Sequence, residues 1–374
     1  KTDRIAVEEA DEIEDSSVLA DADSCFCDFN GVVIHHKISD ADSEGPAISN
    51  AASTPIVLLH GFGASVFSWQ KVLKAMARNT GSKVLAFDRP AFGLTSRVSP
   101  IQSPLNPYSM VFSALASLFF IDFLAAEKAV LVGHSAGALV ALEAYFEAPE
   151  RVAALILVAP AIFAPLMRKN PQKQSPVVEG DSSLLNPFSR LLHVLSKAAT
   201  NVAAATANVA RGIKSVYKKT LATILRSALG VMAVRMAIGK LGVWALRSAW
   251  YDPSRVSDHT VEGYKKPLKL KGWDKALVEY IVAMVASDDS KPPVTHRLSE
   301  ISCPVMIITG DSDRLVPTWN SRRVSKYIPG CGFQVIENCG HLPQEEKPDE
   351  FVTVVGEFLR RKVTGIGEEE TPRL

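Results

Sequence analysis

The chain has 374 residues, of which 47% are apolar and 22% are charged, and its formal net charge is +1. This composition supplies enough apolar side chains for a buried core and excludes a chain that is disordered throughout. The length is short for two independent domains, so we expect one core fold that carries an inserted subdomain.

Charge is unevenly distributed along the chain. Residues 1–30 hold ten acidic and two basic side chains, whereas residues 161–300 hold 21 basic and ten acidic ones. We expect residues 1–24 to form a solvated, disordered tail, because no sustained apolar period occurs before Cys25. Residues 363–374 are expected to form a C-terminal tail.

The five cysteines are an odd number without C-x-x-C or paired-histidine spacing, which argues against a disulfide framework and a metal site. This pattern favours a reducing, intracellular compartment. The chain begins at Lys1 rather than Met, so we expect any targeting peptide to lie outside this sequence. No segment of about 20 residues is free of charge, as a spanning helix requires, although residues 227–246 come closest.

The predicted elements alternate between strand and helix after an opening hairpin. Asn30-Gly31 between short apolar runs predicts a β-hairpin, and the apolar run at 55–59 predicts a strand buried on both faces. The alternation that follows predicts a mostly parallel, doubly wound sheet. Its strands are predicted at 83–87, 129–132 and 153–158, and its helices at 68–78, 110–126 and 136–147.

The regular alternation stops after residue 160 and resumes at residue 301. Strands are again predicted at 305–309 and 333–336, and helices at 319–327 and 348–361. We therefore expect a core formed by residues 25–160 and 301–362, into which residues 161–300 are inserted as a helical cap.

The segment Gly133-His134-Ser135-Ala136-Gly137 lies between a predicted buried strand and a helix, which is the setting of a G-x-S-x-G nucleophile elbow. A strand that turns this sharply into a helix leaves no room for side chains two residues before and two residues after the serine. We therefore predict that Ser135 is a catalytic nucleophile.

A serine nucleophile needs a general base and an acid that orients the base. Asp313 follows one of the last predicted strands and His341 follows the next. Because the carboxyl ends of parallel strands meet at one edge of a sheet, we expect these two side chains to lie close together. Asp311 lies on the same loop as Asp313 and is an alternative acid.

Two backbone N–H groups are predicted to stabilise an oxyanion, that of Ala136 after the nucleophile and that of Phe62 in an early glycine-containing loop. We interpret His60 and Asp88 as residues that brace loops near the site, and we exclude His134 as the base because a residue next to Ser135 cannot swing to its hydroxyl. The remaining histidines are expected on the surface or in the cap; they are His35, His36, His193, His259 and His296.

Five motifs occur in order along the predicted core: H-G-F-G at 60–63, D-R-P-A-F-G-L-T-S at 88–96, G-H-S-A-G at 133–137, G-D-S-D-R-L-V-P at 310–317 and G-H-L-P at 340–343. With these motifs the chain resembles the α/β-hydrolase superfamily over residues 27–160 and 301–362, and in detail its plant, plastid-associated members. The resemblance implies an α/β-hydrolase fold and a chloroplast location. It also places the acid three residues after Gly310, which favours Asp313 over Asp311.

We predict a serine hydrolase that cleaves a carboxylic ester with an apolar portion through an acyl-enzyme, without a cofactor or metal. Two alternatives stay open: another reaction of the same triad, such as C–C bond hydrolysis or cyanohydrin cleavage, and a ligand receptor that turns over slowly. An aspartate at position 135 would have indicated epoxide or haloalkane chemistry, which Ser135 argues against. The substrate-binding residues are not predicted.

The predicted cap is basic, because residues 190–251 hold ten Lys and Arg residues and no acidic one. Two or three helices are expected there, apolar on one side and basic on the other. Such a lid can rest on an anionic membrane and admit a lipid-like ester, or it can pack on its own core with solvated lysines. The aromatic interleaving and groove motifs of nucleic-acid binding are missing, so no nucleic-acid partner is expected.

Overall fold

The computed structural model of the chain describes residues 13–40, 54–100, 105–162, 214–286 and 294–363. Its eight strands are β1 (Cys25–Phe29), β2 (Val32–Ser39), β3 (Ile56–Leu59), β4 (Val84–Phe87), β5 (Ala129–His134), β6 (Val152–Val158), β7 (Val305–Gly310) and β8 (Gly332–Ile336). They form one sheet in the order β1-β2-β4-β3-β5-β6-β7-β8. The pairs β1/β2 and β2/β4 are antiparallel, and all the others are parallel. The predicted doubly wound, mostly parallel sheet is confirmed.

Helices cover both faces of this sheet. They are α1 (Leu73–Thr80), α2 (Met110–Phe123), α3 (Ala136–Glu147), α4 (described over 214–226), α5 (Ala228–Ala249), α6 (Asp258–Lys265), α7 (Trp273–Val285), α8 (Thr318–Ser325), α9 (Pro343–Glu346) and α10 (Pro348–Lys362). One core cluster packs α2, α3 and α8 against the sheet, and a second packs α1 and α10 against its other face. The strand β3 is buried along its whole length, as the unbroken apolar run at 55–59 predicts, and β4 and β5 are buried in the same way.

The opening hairpin forms where the Asn-Gly pair predicts it. Asn30 and Gly31 both have positive φ values, 53° and 78°, and Phe29 pairs with Val32 across the turn. Positive φ at both central residues is the geometry that matches the twist of two antiparallel strands.

A long excursion separates β6 from β7, although the two strands are neighbours in the sheet. Helices α4 to α7 belong to this excursion, and residues 163–213 and 287–293 of it lie outside the described residues. Residues 190–213 of the basic segment predicted at 190–251, including His193, therefore lie outside the described residues. The described part is helical, and it carries side chains to the carboxyl edge of the sheet beside Ser135 and His341.

The acidic segment before β1 does not behave as predicted over its second half. The backbone of Ile13 forms a parallel bridge with Leu270 of the inserted segment. Asp21 accepts hydrogen bonds from Lys266 at 2.6 Å and from Lys37 at 2.8 Å. The prediction of a disordered tail over residues 1–24 thus fails for residues 13–24, because the basic insertion supplies partners for these acidic side chains. Residues 1–12 and 364–374 lie outside the described residues.

Two histidines expected at the surface or in the cap are buried in the core instead. His35 and His36 lie on β2, where the ring of His36 packs against Phe120 of α2 and the ring of His35 hydrogen-bonds with Asp88. A one-residue alternation puts one ring on each face of a strand, and both faces of this strand are enclosed. His259 and His296 are exposed, as expected, and His193 lies outside the described residues.

Candidate active site

Ser135 occupies a strained turn between β5 and α3. Its φ is +52°, a value that residues with a side chain rarely adopt. A Cβ atom on Gly137 would lie 2.2 Å from the carbonyl oxygen of Leu59, and one on Gly133 would lie 2.6 Å from the Cα of Ala138. Both glycines are therefore required by close backbone contacts, as the elbow hypothesis predicts.

Asp313 and His341 form a buried hydrogen-bonded pair at the carboxyl edge of the sheet. The Nδ1 atom of His341 lies 2.8 Å from Oδ2 of Asp313. The other carboxylate oxygen, Oδ1, accepts the backbone N–H groups of Leu315 and Val316, each at 2.8 Å. The carboxylate is thus held from two sides, and an Nδ1–H that donates to it leaves Nε2 of the imidazole as a proton acceptor.

Asp311, the alternative acid, makes different contacts. Its carboxylate is exposed and accepts the backbone N–H groups of Asn338 at 3.0 Å and Cys339 at 3.2 Å. These bonds tie the loop after β7 to the loop after β8. Asp311 therefore braces the loop that carries His341, whereas Asp313 contacts the imidazole itself.

Ser135 and His341 line one cavity of about 330 Å³. Among the described residues no hydrogen bond joins the Ser135 hydroxyl to the imidazole, and such bonds are often long in an active site that holds no substrate. Within the same described ranges, no group of three or more His, Cys, Asp or Glu side chains is placed to hold a metal ion. The chemistry that this arrangement supports is proton transfer between a hydroxyl and an imidazole.

The two predicted oxyanion donors lie beside this cavity. Phe62 lines it, and Ala136 is the first residue of α3, next to Ser135. In the part of the chain that the structure describes, neither backbone N–H donates to another residue. The positive end of the helix dipole at Ala136 adds to the stabilisation of an anion at this point. Both donors are therefore available to a substrate oxygen.

His60 and Asp88 brace the loops around the site. His60 donates from Nδ1 to the carbonyl of Gly61 at 2.8 Å and accepts the Arg89 N–H at Nε2 at 3.0 Å. Burial, with help from the Arg89 charge, lowers the pKa of His60 to about 3, so the ring is neutral. Asp88 accepts the Val66 N–H at 2.6 Å. Neither residue faces the Ser135 hydroxyl as a base, and the loop-bracing interpretation is confirmed.

His134 is held away from the chemistry even though it precedes the nucleophile. Its Nε2–H donates to the backbone carbonyl of His341 at 2.9 Å. Burial, followed by the nearby imidazole of His341, holds the pKa of His134 well below its ordinary value. A neutral His134 therefore supports the His341 backbone and does not compete for its proton.

The wall of the cavity opposite Ser135 comes from the insertion, and none of its residues was predicted. Ile238 and Leu246 of α5, Tyr264 of α6 and Leu277 of α7 line it. The carbonyl of Ala249, at the end of α5, accepts the His341 N–H at 2.7 Å. Both faces of α5 are apolar, so its sequence pattern does not indicate which face closes the cavity.

One buried acid beside the site was also missed by the sequence analysis. Glu345 lies on α9, shortly after His341, and accepts the hydroxyl of Tyr264 at 2.5 Å. Burial raises the pKa of Glu345 to about 8, although the Tyr264 hydrogen bond and the Lys71 charge act in the opposite direction. This contact joins the insertion to the core at the edge of the cavity.

Comparisons with known proteins agree with this architecture. The chain is 25% identical over 314 residues to the 2-hydroxy-6-oxononadienedioate/2-hydroxy-6-oxononatrienedioate hydrolase of Burkholderia vietnamiensis, covering 82% of this chain and 87% of that protein. Cfl2 of Burkholderia cenocepacia superimposes with a TM-score of 0.61 at 19% identity, over 90% of this chain and 95% of that one. A thermophilic esterase of Thermogutta terrifontis does so with a TM-score of 0.56 at 19% identity, over 91% and 99%.

These similarities extend over the core and the insertion alike. At such identities the solved structures show a common fold and leave the substrate open. A profile of the alpha/beta hydrolase family matches residues 56–354, which include every strand from β3 to β8 and all three residues Ser135, Asp313 and His341. The chain therefore belongs to the alpha/beta hydrolase family and is a hydrolase.

Proposed function

We propose that this hydrolase cleaves a carboxylic ester with an apolar portion, and that Ser135, His341 and Asp313 are its catalytic triad. The observation that carries the proposal is the buried Asp313–His341 pair, which opens on the same cavity as the strained Ser135. An imidazole oriented in this way is the general base that a serine hydroxyl requires.

The reaction follows from this geometry. As the Ser135 oxygen bonds to the ester carbonyl carbon, Nε2 of His341 takes its proton, and the carbonyl oxygen becomes an oxyanion held by the N–H groups of Phe62 and Ala136. When the tetrahedral intermediate collapses, the imidazolium returns the proton to the departing alcohol. A water molecule then attacks the acyl-enzyme by the same route, and Asp313 remains ionised throughout.

The lining of the cavity supports an apolar substrate. Phe92, Val243, Leu246, Trp273 and Leu277 all contribute to its surface. Each apolar carbon buried against such side chains stabilises the complex by about 0.8 kcal/mol per CH₂. We therefore expect longer acyl or alkyl chains to be preferred until the cavity is filled.

Hydrolysis of a C–C bond is the second candidate, because the Burkholderia vietnamiensis relative is named for that class of substrate. A dioate carries carboxylates, which need cationic partners. Arg97 lines the cavity but already donates to the carbonyls of Phe92, Gly93 and Thr95 at 2.6 to 2.9 Å. Its hydrogen-bonding capacity is thus largely used by its own loop. Lys265, which also lines the cavity, pairs with Glu262 at 3.3 Å. Because both cations have protein partners, we favour the uncharged ester.

A set of p-nitrophenyl esters of increasing acyl length tests the proposal. We expect turnover that rises with chain length, labelling by a fluorophosphonate, and loss of both in Ser135→Ala. Ser325→Ala, on α8 outside the cavity lining, is the matched control and should keep full activity. Hydrolysis of a 2-hydroxy-6-oxo-dienoate without ester turnover would support the second candidate, and labelling without any turnover would support a slow receptor.

The plastid-associated resemblance, and with it a chloroplast location, stays a prediction. A fluorescent fusion of the full coding sequence, expressed in leaf cells, would test it. Fluorescence outside the chloroplasts would contradict it.

A further inference from the structure

Helix α5 carries two apolar faces, and one of them faces outward. Ten of its residues are exposed at a spacing that follows one side of the helix, and only Lys240 among them is charged. Trp244 is 68% exposed, and Leu229 is 75% exposed. The other large members are Met232, Met236 and Leu241. No described residue covers this surface, which we call the outer face of α5.

The inner face of α5 is fixed to the rest of the protein. Val234 and Ile238 pack against the cluster that contains Trp273, and Arg235 forms an ion pair with Asp274 at 3.0 Å. By length and composition α5 could cross a membrane. Because its inner face contacts α7 and lines the cavity, we place the helix along a surface and not across it.

The segment that contains the outer face is basic. Residues 214–251 hold seven Lys and Arg residues and no acidic one. Lys214, Lys218 and Lys219 lie on α4, directly before α5, and Lys240 and Arg247 lie along α5 itself. An exposed apolar helix face that includes a tryptophan, with lysines on the same helix and on the helix before it, is typical of segments that bind at a lipid–water interface.

We propose that the outer face of α5, together with basic α4, docks on an anionic lipid bilayer. The apolar side chains enter the boundary of the acyl chains, while Lys240 extends its ammonium group back to the headgroups. Each basic residue near an anionic surface contributes to the attraction. A second copy of the chain is a poorer partner, since a symmetric contact would set two purely basic segments against each other.

Docking in this way brings the cavity to the lipid surface. Ile238 and Leu246 line the cavity from the opposite side of the helix whose outer face meets the bilayer. An ester that resides in the membrane then has a short path to Ser135. This consequence for the substrate rests on the proposed function, whereas the docking itself does not.

Vesicle flotation of the full chain tests the docking without any turnover. In the Ser135→Ala protein we expect binding to vesicles with about one third phosphatidylglycerol, weaker binding to pure phosphatidylcholine, and dissociation between about 50 and about 500 mM NaCl. Trp244→Ser should weaken binding about tenfold. Trp319→Ser replaces a tryptophan that is 65% exposed on α8, and it should bind like the parent.

Quenching by brominated lipids locates the contact. Only Trp244 and Trp319 are strongly exposed among the five tryptophans, all of which lie in described ranges. We expect Trp244→Phe, which keeps an apolar ring and therefore the fold, to abolish the quenching, and Trp319→Phe to preserve it.

Three results would overturn the proposal. They are an absence of binding to anionic vesicles at low salt, equal losses in the Trp244 and Trp319 variants, and a dimer that depends on Trp244 and binds no vesicles. If the outer face binds vesicles but Ser135 supports no ester hydrolysis, the docking stands and only the proposed function fails.

Discussion

Replacing Asp313 with asparagine should abolish turnover while leaving the fold intact. The N–H groups of Leu315 and Val316 both point at Oδ1, so they select the oxygen of the new amide for that position. The NH₂ group must then take the place of Oδ2, 2.8 Å from Nδ1 of His341. An NH₂ donor there requires Nδ1 to accept, which moves the ring proton to Nε2.

The magnitude follows from this change of tautomer. An imidazole protonated on Nε2 cannot take the proton of Ser135, and the loss in serine hydrolases of this type is about 10⁴-fold in kcat. That factor corresponds to about 5.5 kcal/mol of transition-state stabilisation. The two backbone hydrogen bonds survive, so we expect the free energy of unfolding to change by no more than about 1 kcal/mol.

The assay compares Asp313→Asn with Asp311→Asn by steady-state hydrolysis of a p-nitrophenyl ester and by thermal unfolding. Asp311 braces the loop through backbone N–H groups, so its variant should lose less than about tenfold in kcat. The reasoning would be refuted if Asp313→Asn kept more than a tenth of the activity at an unchanged melting temperature. It would also be refuted if Asp311→Asn were the more damaging change.

Three further predictions concern stability. Gly137→Ala places a methyl group 2.2 Å from the Leu59 carbonyl oxygen and should lower the free energy of unfolding by about 3 kcal/mol or more. A thermal unfolding curve with an unchanged melting temperature would contradict this close backbone contact. Asp88→Asn should lower the free energy of unfolding at pH 7, measured by urea denaturation, by about 2 kcal/mol. Burial raises the pKa of Asp88, but His35 and the hydrogen bonds lower it to about 2, below the ordinary 3.8. The ionised carboxylate therefore stabilises the fold above pH 4, and the difference in unfolding free energy between wild type and Asp88→Asn should shrink as the pH falls towards 2. Glu345 has the opposite pH dependence, since burial raises its pKa to about 8, above the ordinary 4.5. The free energy of unfolding of the wild type should therefore fall by up to about 4 kcal/mol between pH 5 and 9, and that of Glu345→Gln should not.

Local features of the sequence were sufficient for the elbow and for the strands. Gly133 and Gly137 could be assigned their roles because a backbone that turns from β5 into α3 excludes a Cβ at both positions, whatever the rest of the chain does. The unbroken apolar run at 55–59 likewise predicts that β3 is buried on both faces. These signals are short in range, so residues within a few positions determine them.

Contacts between distant segments could not be predicted in the same way. The sequence shows His35 and His36 as polar residues near the N-terminus, and only contacts with distant residues such as Phe120 and Asp88 bury them. Asp311 and Asp313 share one loop and one chemistry, and their roles differ because the loop turns one carboxylate outward and the other towards an imidazole 28 residues away. The spacing of residues in the sequence does not predict how this loop turns.

The amino-acid sequence was sufficient to predict the sharp turn at Ser135, the proximity of Asp313 and His341 and the mostly parallel sheet, because each depends on local backbone geometry and on the common direction of parallel strands. Only the tertiary structure decided which face of α5 closes the cavity and which faces outward, and that Tyr264 would reach Glu345. Both faces of that helix are apolar, so the periodicity of its sequence does not predict which face is buried. Packing against α7 selects the buried face, and this packing joins residues that are far apart in the chain.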